Sequence, residues 1–313
     1  MKIGGYIKKL TDRYRNQNNK ALYVFFLILR ILVVLTAVRC LLTQNYESFA
    51  LCILTLVLFL VPAFIEERFK ISIPPLFQGI IFFFIFAAEI LGEVNHYYVA
   101  IPGWDTMLHT MNGFLCAAIG FSLVYLLNRG SSNVKLSPFY LTLVAFCFSM
   151  TIGVIWEFFE FAMDQFFYLD MQKDFIVTTI GSVTLDPEQA QKVIKVKDIV
   201  ETTITTASGE VTKIQSGYLD IGIIDSMKDL LVNLVGAVIF SIIGYITLKK
   251  SSPRANRIAE GFMVKPDDPD RSDDADKRED PDRSDAPGRR EGSDRSDAPA
   301  ADPDERNRSK RRK

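Results

Sequence analysis

The sequence predicts an all-α membrane protein: a six-transmembrane-helix bundle with a small extracytoplasmic loop region holding some β-structure, and a disordered C-terminal tail. Three observations carry this prediction. Six apolar segments approach the roughly 20 residues that a helix needs to cross a bilayer. Lys and Arg recur in alternate short connections, as the positive-inside rule requires. After Ser251 the composition turns almost wholly polar. The averages over 313 residues, 49% hydrophobic side chains and a formal charge of −1, therefore merge unlike parts, and the net charge says little about partners.

The chain divides into a basic cytoplasmic N-terminal arm (1–20), a transmembrane domain (21–250) and a cytoplasmic tail (251–313). The arm carries Lys2, Lys8, Lys9, Arg13, Arg15 and Lys20. It is longer than an ordinary signal n-region and no A-x-A site follows the first apolar run, so no cleavable leader is expected. The spans are expected at 21–42, 49–64, 75–92, 104–127, 138–161 and 225–248. The second is the shortest, with Pro62 marking its exit from the membrane. The connections at 43–48 and 93–103 lack Lys and Arg, whereas Arg68, Lys70, Arg129, Lys135, Lys249 and Lys250 mark the other side. Both termini of this multi-pass membrane protein are thus expected in the cytoplasm.

The outer loop 168–224 is too long for a turn. The stretch 193–206 is rich in Val, Ile and Thr, Ser208-Gly209 is a turn signal, and 211–214 is expected to pair back as a hairpin. The tail repeats P-D-R-S-D-type units with almost no apolar side chains after Val264, too few to bury a core. The four cysteines Cys40, Cys52, Cys116 and Cys147 sit in apolar runs and read as packing residues rather than a disulfide framework.

The chemistry concentrates at one end of the bundle. Asp105, His109 and Asn112 fall at i, i+4 and i+7, which stacks them on one helical face at the start of the fourth span. The fifth span ends with Glu157, Glu160 and Asp164 at i, i+3 and i+7. The sixth opens with Asp225, Asp229 and Asn233 at i, i+4 and i+8, and the third closes with Glu89 and Glu93. Acids at helix ends often only face water, and Asp105 and Asp225 also suit a helix N-terminus. Four helices that place acids at one membrane face, two of them against the dipole, point instead to a shared site.

Carboxylates packed together raise one another's pKa unless a cation neutralises them, so a divalent metal is the economical occupant. Oxygen ligands with one imidazole and no thiolate favour Mn, Fe, Mg or Ca, with Zn as a further option. The expected metal ligands are Asp105, His109, Glu157, Glu160, Asp225 and Asp229. Catalysis would fall to Glu160 as general base and to His109 as ligand or acid. Arg39, Asn112 and Asn233 are the expected substrate-binding residues. Arg39 either pairs with Glu89 or Glu93 or holds an anionic headgroup. His96 reads as an ordinary exposed loop residue, and Arg30 as an intramembrane ion-pair partner.

The runs W-D-T-M-L-H-T-M-N-G-F from Trp104, I-W-E-F-F-E-F-A-M-D from Ile155 and G-Y-L-D-I-G-I-I-D-S-M-K-D-L-L-V-N-L-V-G-A from Gly217 resemble the YjdF-like family of bacterial polytopic membrane proteins, whose function is not established. The resemblance covers 21–250. A more distant one is to VanZ-like membrane proteins, which carry Asp-x-x-x-His, Glu and Asp-x-x-x-Asn-x-x-Gly in successive spans. Asp105 with His109, Glu157 or Glu160, and Asp229 with Asn233 and Gly236 match those positions. That likeness implies a shared polar site and names no substrate.

The leading reading is a metal-dependent membrane hydrolase or transferase that acts on a lipid headgroup or envelope molecule at the outer face. The alternatives are a cation- or proton-coupled transporter and a non-catalytic membrane scaffold. No phosphate-binding Gly-rich loop, G-x-S-x-G elbow or H-E-x-x-H is present. The expected partner is the lipid bilayer, and no nucleic-acid partner is expected.

Overall fold

Hydrophobic length and capping residues set the six spans. The computed structural model describes residues 20–130, 136–250 and 261–266, and these belong to one compact unit. The expected N-terminal arm, and the expected tail apart from 261–266, lie outside the described residues. Helix α1 runs Lys20–Leu42, and α2, Tyr46–Leu58, starts where Asn45 accepts a hydrogen bond from the Ser48 amide at 3.0 Å. Helix α3 (Val61–Phe69) continues the second span after a tight turn at Phe59 and Leu60.

Pro62 therefore does not end the second span. It occupies the first turn of α3, where its missing N–H costs nothing, and the span runs on to Phe69 rather than stopping near residue 64. A short strand β1 (Ile71–Ser72) leads to α4 (Pro75–Ile85), again opened by a proline. The third span then widens into a π-helix, Phe86–Val94, a change that its sequence does not announce. Helices α5 (Tyr97–Ala100), α6 (Trp104–Gly130), α7 (Pro138–Phe167) and α8 (Ile223–Lys250) complete the bundle. Outward faces keep large apolar side chains such as Leu35, Val57, Leu127, Phe158 and Ile242 exposed, as a lipid-facing bundle requires.

Two cores hold the helices. In one, Phe26, Phe59 and Phe82 pack α1, α2 and α4 ring to ring, with centroids 4.5 to 5.8 Å apart. The Arg30 guanidinium lies over the Phe26 ring at 4.5 Å. In the other, Phe77, Leu115, Phe121, Leu141 and Phe240 join α4, α6, α7 and α8. Cys40, Cys52 and Cys116 are buried packing residues, whereas Cys147 faces outward; all four are free thiols.

The second core contains a correction to the tail. Phe262 and Val264 are buried in it, and Lys265–Pro266 forms strand β8 antiparallel to β1. The Ser122 hydroxyl donates to the Phe262 carbonyl at 3.3 Å and accepts from the Val264 amide at 3.2 Å. Three apolar residues, Phe262, Met263 and Val264, in a largely polar tail are too few for a pattern argument, yet they suffice to dock six residues.

The long connection before α8 holds three antiparallel pairs. Strand β2 (Ile176–Val177) pairs with β7 (Tyr218–Leu219), β3 (Ile180–Ser182) with β4 (Ile194–Val196), and β5 (Glu201–Thr205) with β6 (Val211–Gln215). The expected hairpin is β5–β6 in the register Thr203↔Lys213, although residues 194–196 pair with β3 instead. Asp186 pins the loop that follows β3 by accepting the backbone amides of Glu188, Ala190 and Lys192 at 2.9 to 3.2 Å. Those bonds hold its carboxyl below the usual carboxylate range.

Candidate metal centre

The site is assembled by close helix packing. Gly113 of α6 lies against the main chain of Asn233 in α8, and Gly236 of α8 against the main chain of Thr110 in α6; a Cβ at either glycine would overlap a carbonyl oxygen. From α7, Gly153 leaves room for the Asn233 amide, which a Cβ would approach to 2.6 Å. The Ser149 hydroxyl donates to the Gly113 carbonyl at 2.7 Å. Small residues that let backbones approach are the usual device of membrane interfaces, and here they draw α6, α7 and α8 to one axis. Side chains one to two turns nearer the acid end are forced together as a result.

His109 stands in the middle. Its Nε2 is 3.4 Å from Asp105 Oδ1 and 4.0 Å from Asp229 Oδ2, while its Nδ1 is 3.9 Å from Glu157 Oε1 on α7. Asp105, His109 and Asp229 each offer a ligand atom, all within 4.8 Å of one another. Two metal–ligand bonds of ~2.0 to 2.6 Å span ~4 to 5 Å, so the group is of a size to hold a metal ion. Asp229 is 1% exposed, whereas the Asp105 side chain is 30% exposed, which places the opening at Asp105. Asp229 Oδ1 and Glu157 Oε2 are buried without a hydrogen-bond partner among the described residues. Buried carboxylate oxygens rarely stay so, and a cation between them would supply what is lacking.

The other expected residues take varied places. Glu160 is buried and accepts the Trp156 indole N–H at 2.8 Å. Asp225 is also buried, but its Oδ2 accepts the Lys173 amide at 2.8 Å and thus fastens the outer connection to α8. Asp164 does the same from α7, accepting the amides of Met171 and Gln172 at 2.7 and 2.8 Å. Asn112 and Asn233 lie one turn below the metal group and bond to each other, Nδ2 to Oδ1, at 3.1 Å. Asn233 also faces Met150 Sδ at 3.7 Å, so these amides floor the site. Arg39 bonds Asn95 Oδ1 at 3.0 Å, and no carboxylate lies within ion-pair distance of it among the described residues, which removes the expected pairing with Glu89 or Glu93.

Sequence reasoning missed Tyr98, Trp156 and Lys173. The Tyr98 ring lies against Gly92 of the π-helix, where a Cβ would meet its Cζ at 2.8 Å. Its phenol is pushed well above its ordinary pKa by burial and then by the charges of Glu93, Asp105, Glu89 and Glu160. An aromatic in a short loop carries no periodic signal. Trp156 could have been found, since it lies one helical turn before Glu160.

No curated protein and no solved structure matches the chain. Over residues 21–250 it matches the family described as "Predicted membrane protein (DUF2238)", and it belongs to that family.

Proposed function

We infer that the protein binds a divalent cation through Asp105, His109 and Asp229 and uses it, at the outer membrane face, in a hydrolase or transferase reaction on a lipid headgroup or another envelope molecule. The observation that carries this reading is the meeting of two carboxylates and one imidazole from α6 and α8, with carboxylate oxygens of Asp229 and Glu157 that lack a hydrogen-bond partner among the described residues. The donor set of two carboxylates and one imidazole suits Mn, Fe, Mg or Ca, and also Zn. A cation held there supplies Lewis acidity and lowers the pKa of water.

Glu157, on the far side of the imidazole, orients the ring so that Nε2 faces the opening; Glu160, held by Trp156, is the general base. Asn112 and Asn233 position the floor. Asp225 joins the substrate side by closing the outer connection over α8. The matched positions of the YjdF-like and VanZ-like resemblances coincide with these residues and support a shared polar site. The alternation of basic loops supports cytoplasmic termini, and the YjdF-like resemblance supports a bacterial cell membrane.

The test uses the full-length protein purified in detergent. Mn²⁺ titration should show one site, lost in His109→Ala and in Asp229→Asn while the circular dichroism of both variants matches the wild type. With Mn²⁺ present, an envelope lipid extract should yield a metal-dependent product by mass spectrometry. Unchanged metal content in both variants would end the metal reading, and Mn²⁺ binding without turnover but with flux in sealed vesicles would replace the enzyme by a transporter.

A further inference from the structure

The end of the bundle that carries the acids also holds a cavity of about 380 Å³ lined by Arg39, Thr43, Asn45, Ser48, Asn95 and His96, with Cys40 and Val94 at its base. No Asp or Glu is among its lining residues. Arg39 is exposed there, and although Glu89 and Glu93 sit in the same π-helix that supplies Val94, it pairs with neither among the described residues.

The local chemistry explains why it does not. The wide π-turn brings the Asn95 backbone amide to the Ile90 carbonyl at 3.1 Å, and Asn95 Nδ2 adds a second bond to the same carbonyl at 2.6 Å. That bond turns Nδ2 toward the helix and Oδ1 toward α1, and Oδ1 accepts Arg39 Nη2 at 3.0 Å. A neutral acceptor thus orients the guanidinium without cancelling its charge. Among the described residues one of its five N–H donors is used, which leaves the planar fork suited to bidentate oxygen. Asn45, the N-cap of α2, and Ser48 in its first turn add an amide and a hydroxyl to the wall.

We propose that this pocket binds a phosphate group. A phosphate matches a guanidinium fork in shape and charge and meets no carboxylate in the lining, and the volume lies in the range of small-ligand sites. Its level agrees as well: α1 has 23 residues, ~35 Å at 1.5 Å per residue, which puts Arg39 in its last turn at the rim of a ~30 Å hydrocarbon layer. The phosphate is carried either by a lipid headgroup or by a soluble molecule. The proposal does not rest on the cation reading of the acid site, because the two sites share no ligand residue.

The experiment is calorimetric titration of the full-length protein in detergent with EDTA present, using two probes: inorganic phosphate and dihexanoyl phosphatidic acid. At least one should bind. Binding of both identifies the free phosphate as sufficient, and binding of the lipid alone identifies a headgroup site. Arg39→Gln should weaken the bound probe at least tenfold, and Arg39→Lys should weaken it less, since the charge stays and the fork is lost. Asn95→Asp, which sets a carboxylate against Arg39, should abolish binding with little change of shape. His109→Ala should leave binding intact. If neither probe binds, or if both Arg39→Gln and Asn95→Asp bind like the wild type, the proposal is overturned.

Discussion

Adding one methyl group at Gly113 should damage both stability and the metal centre. In Gly113→Ala the new Cβ would lie 2.8 Å from the Asn233 carbonyl carbon and 3.0 Å from its Cα, and nearer still to the oxygen. Alanine in a helix interior is worth about 0.5–1 kcal/mol over glycine. Forcing a carbon into a filled site costs about 1–3 kcal/mol. The obstacle here is main chain fixed within α8, which has no rotamer to offer, so the upper end applies and the net loss is about 2 kcal/mol. Restoring ordinary contact near ~3.5–4.0 Å moves α6 from α8 by about 1 Å. Metal–ligand distances tolerate about 0.2 Å, and Asp105 and His109 ride on α6 while Asp229 rides on α8. Mn²⁺ affinity should therefore fall about 10- to 100-fold, the range typical of a disturbed ligand shell. Thermal unfolding in detergent and Mn²⁺ titration read the two effects. Gly244→Ala is the comparison, because its nearest neighbours are Phe121 ring carbons at 3.1 and 3.3 Å that can turn aside, and it should leave both readouts close to wild type. If Gly113→Ala melts no lower than wild type and binds Mn²⁺ unchanged, backbone contact between α6 and α8 does not set the site.

Phe262→Ala should lower stability by about 3–5 kcal/mol, since its ring packs with Phe77, Phe114 and Phe240; a chain ending at residue 260 should lose at least as much, read by the same melt. Asp186→Asn should speed amide exchange at Glu188, Ala190 and Lys192, whose N–H groups it now holds. Because the folded Asp186 pKa is lowered, its contribution is complete above the ordinary carboxylate value of ~3.9 and is lost as pH falls through the folded value. Wild-type protection of those three amides should thus hold from pH 7 down to about 5 and collapse only in stronger acid.

The spans were legible because each is a local composition effect: about 20 apolar residues with polar punctuation read the same way wherever they pack. The β5–β6 hairpin was legible for a similar reason, since its turn and strands are contiguous. The axial level of the acids followed from helix direction alone, so Asp105, His109, Glu157, Glu160, Asp225 and Asp229 could be proposed as neighbours before their azimuths were known. What spacing could not supply was the division of labour among carboxylates. Asp225 and Asp229 share one face, yet Asp225 accepts the amide of Lys173, 52 residues away, while Asp229 lies in the candidate metal group. Pro62 misled because proline is hostile to a helix interior and welcome in its first turn, and the sequence does not say which applies. Phe262 and Val264 were hidden by their surroundings, since periodicity needs several members and docking needs only a pocket.

The π-helix leaves an arithmetical trace in the third span. A ring closed from residue i to i+5 contains one residue more than the α-helical ring, so the stretch Phe86–Val94 carries a surplus that its rise does not record. Each residue of an α-helix turns about 100° around the axis, so everything beyond the surplus stands out of phase with everything before it by about that angle. Phe77 and Phe82 are clocked by one half of the span, Asn95 and His96 by the other. A chain that lost one residue from this stretch would still be helical, apolar and long enough to cross a bilayer, and it would meet Arg39 with a different side chain. The length of that segment, counted to the residue, is therefore as much a part of the outer rim as any side chain on it.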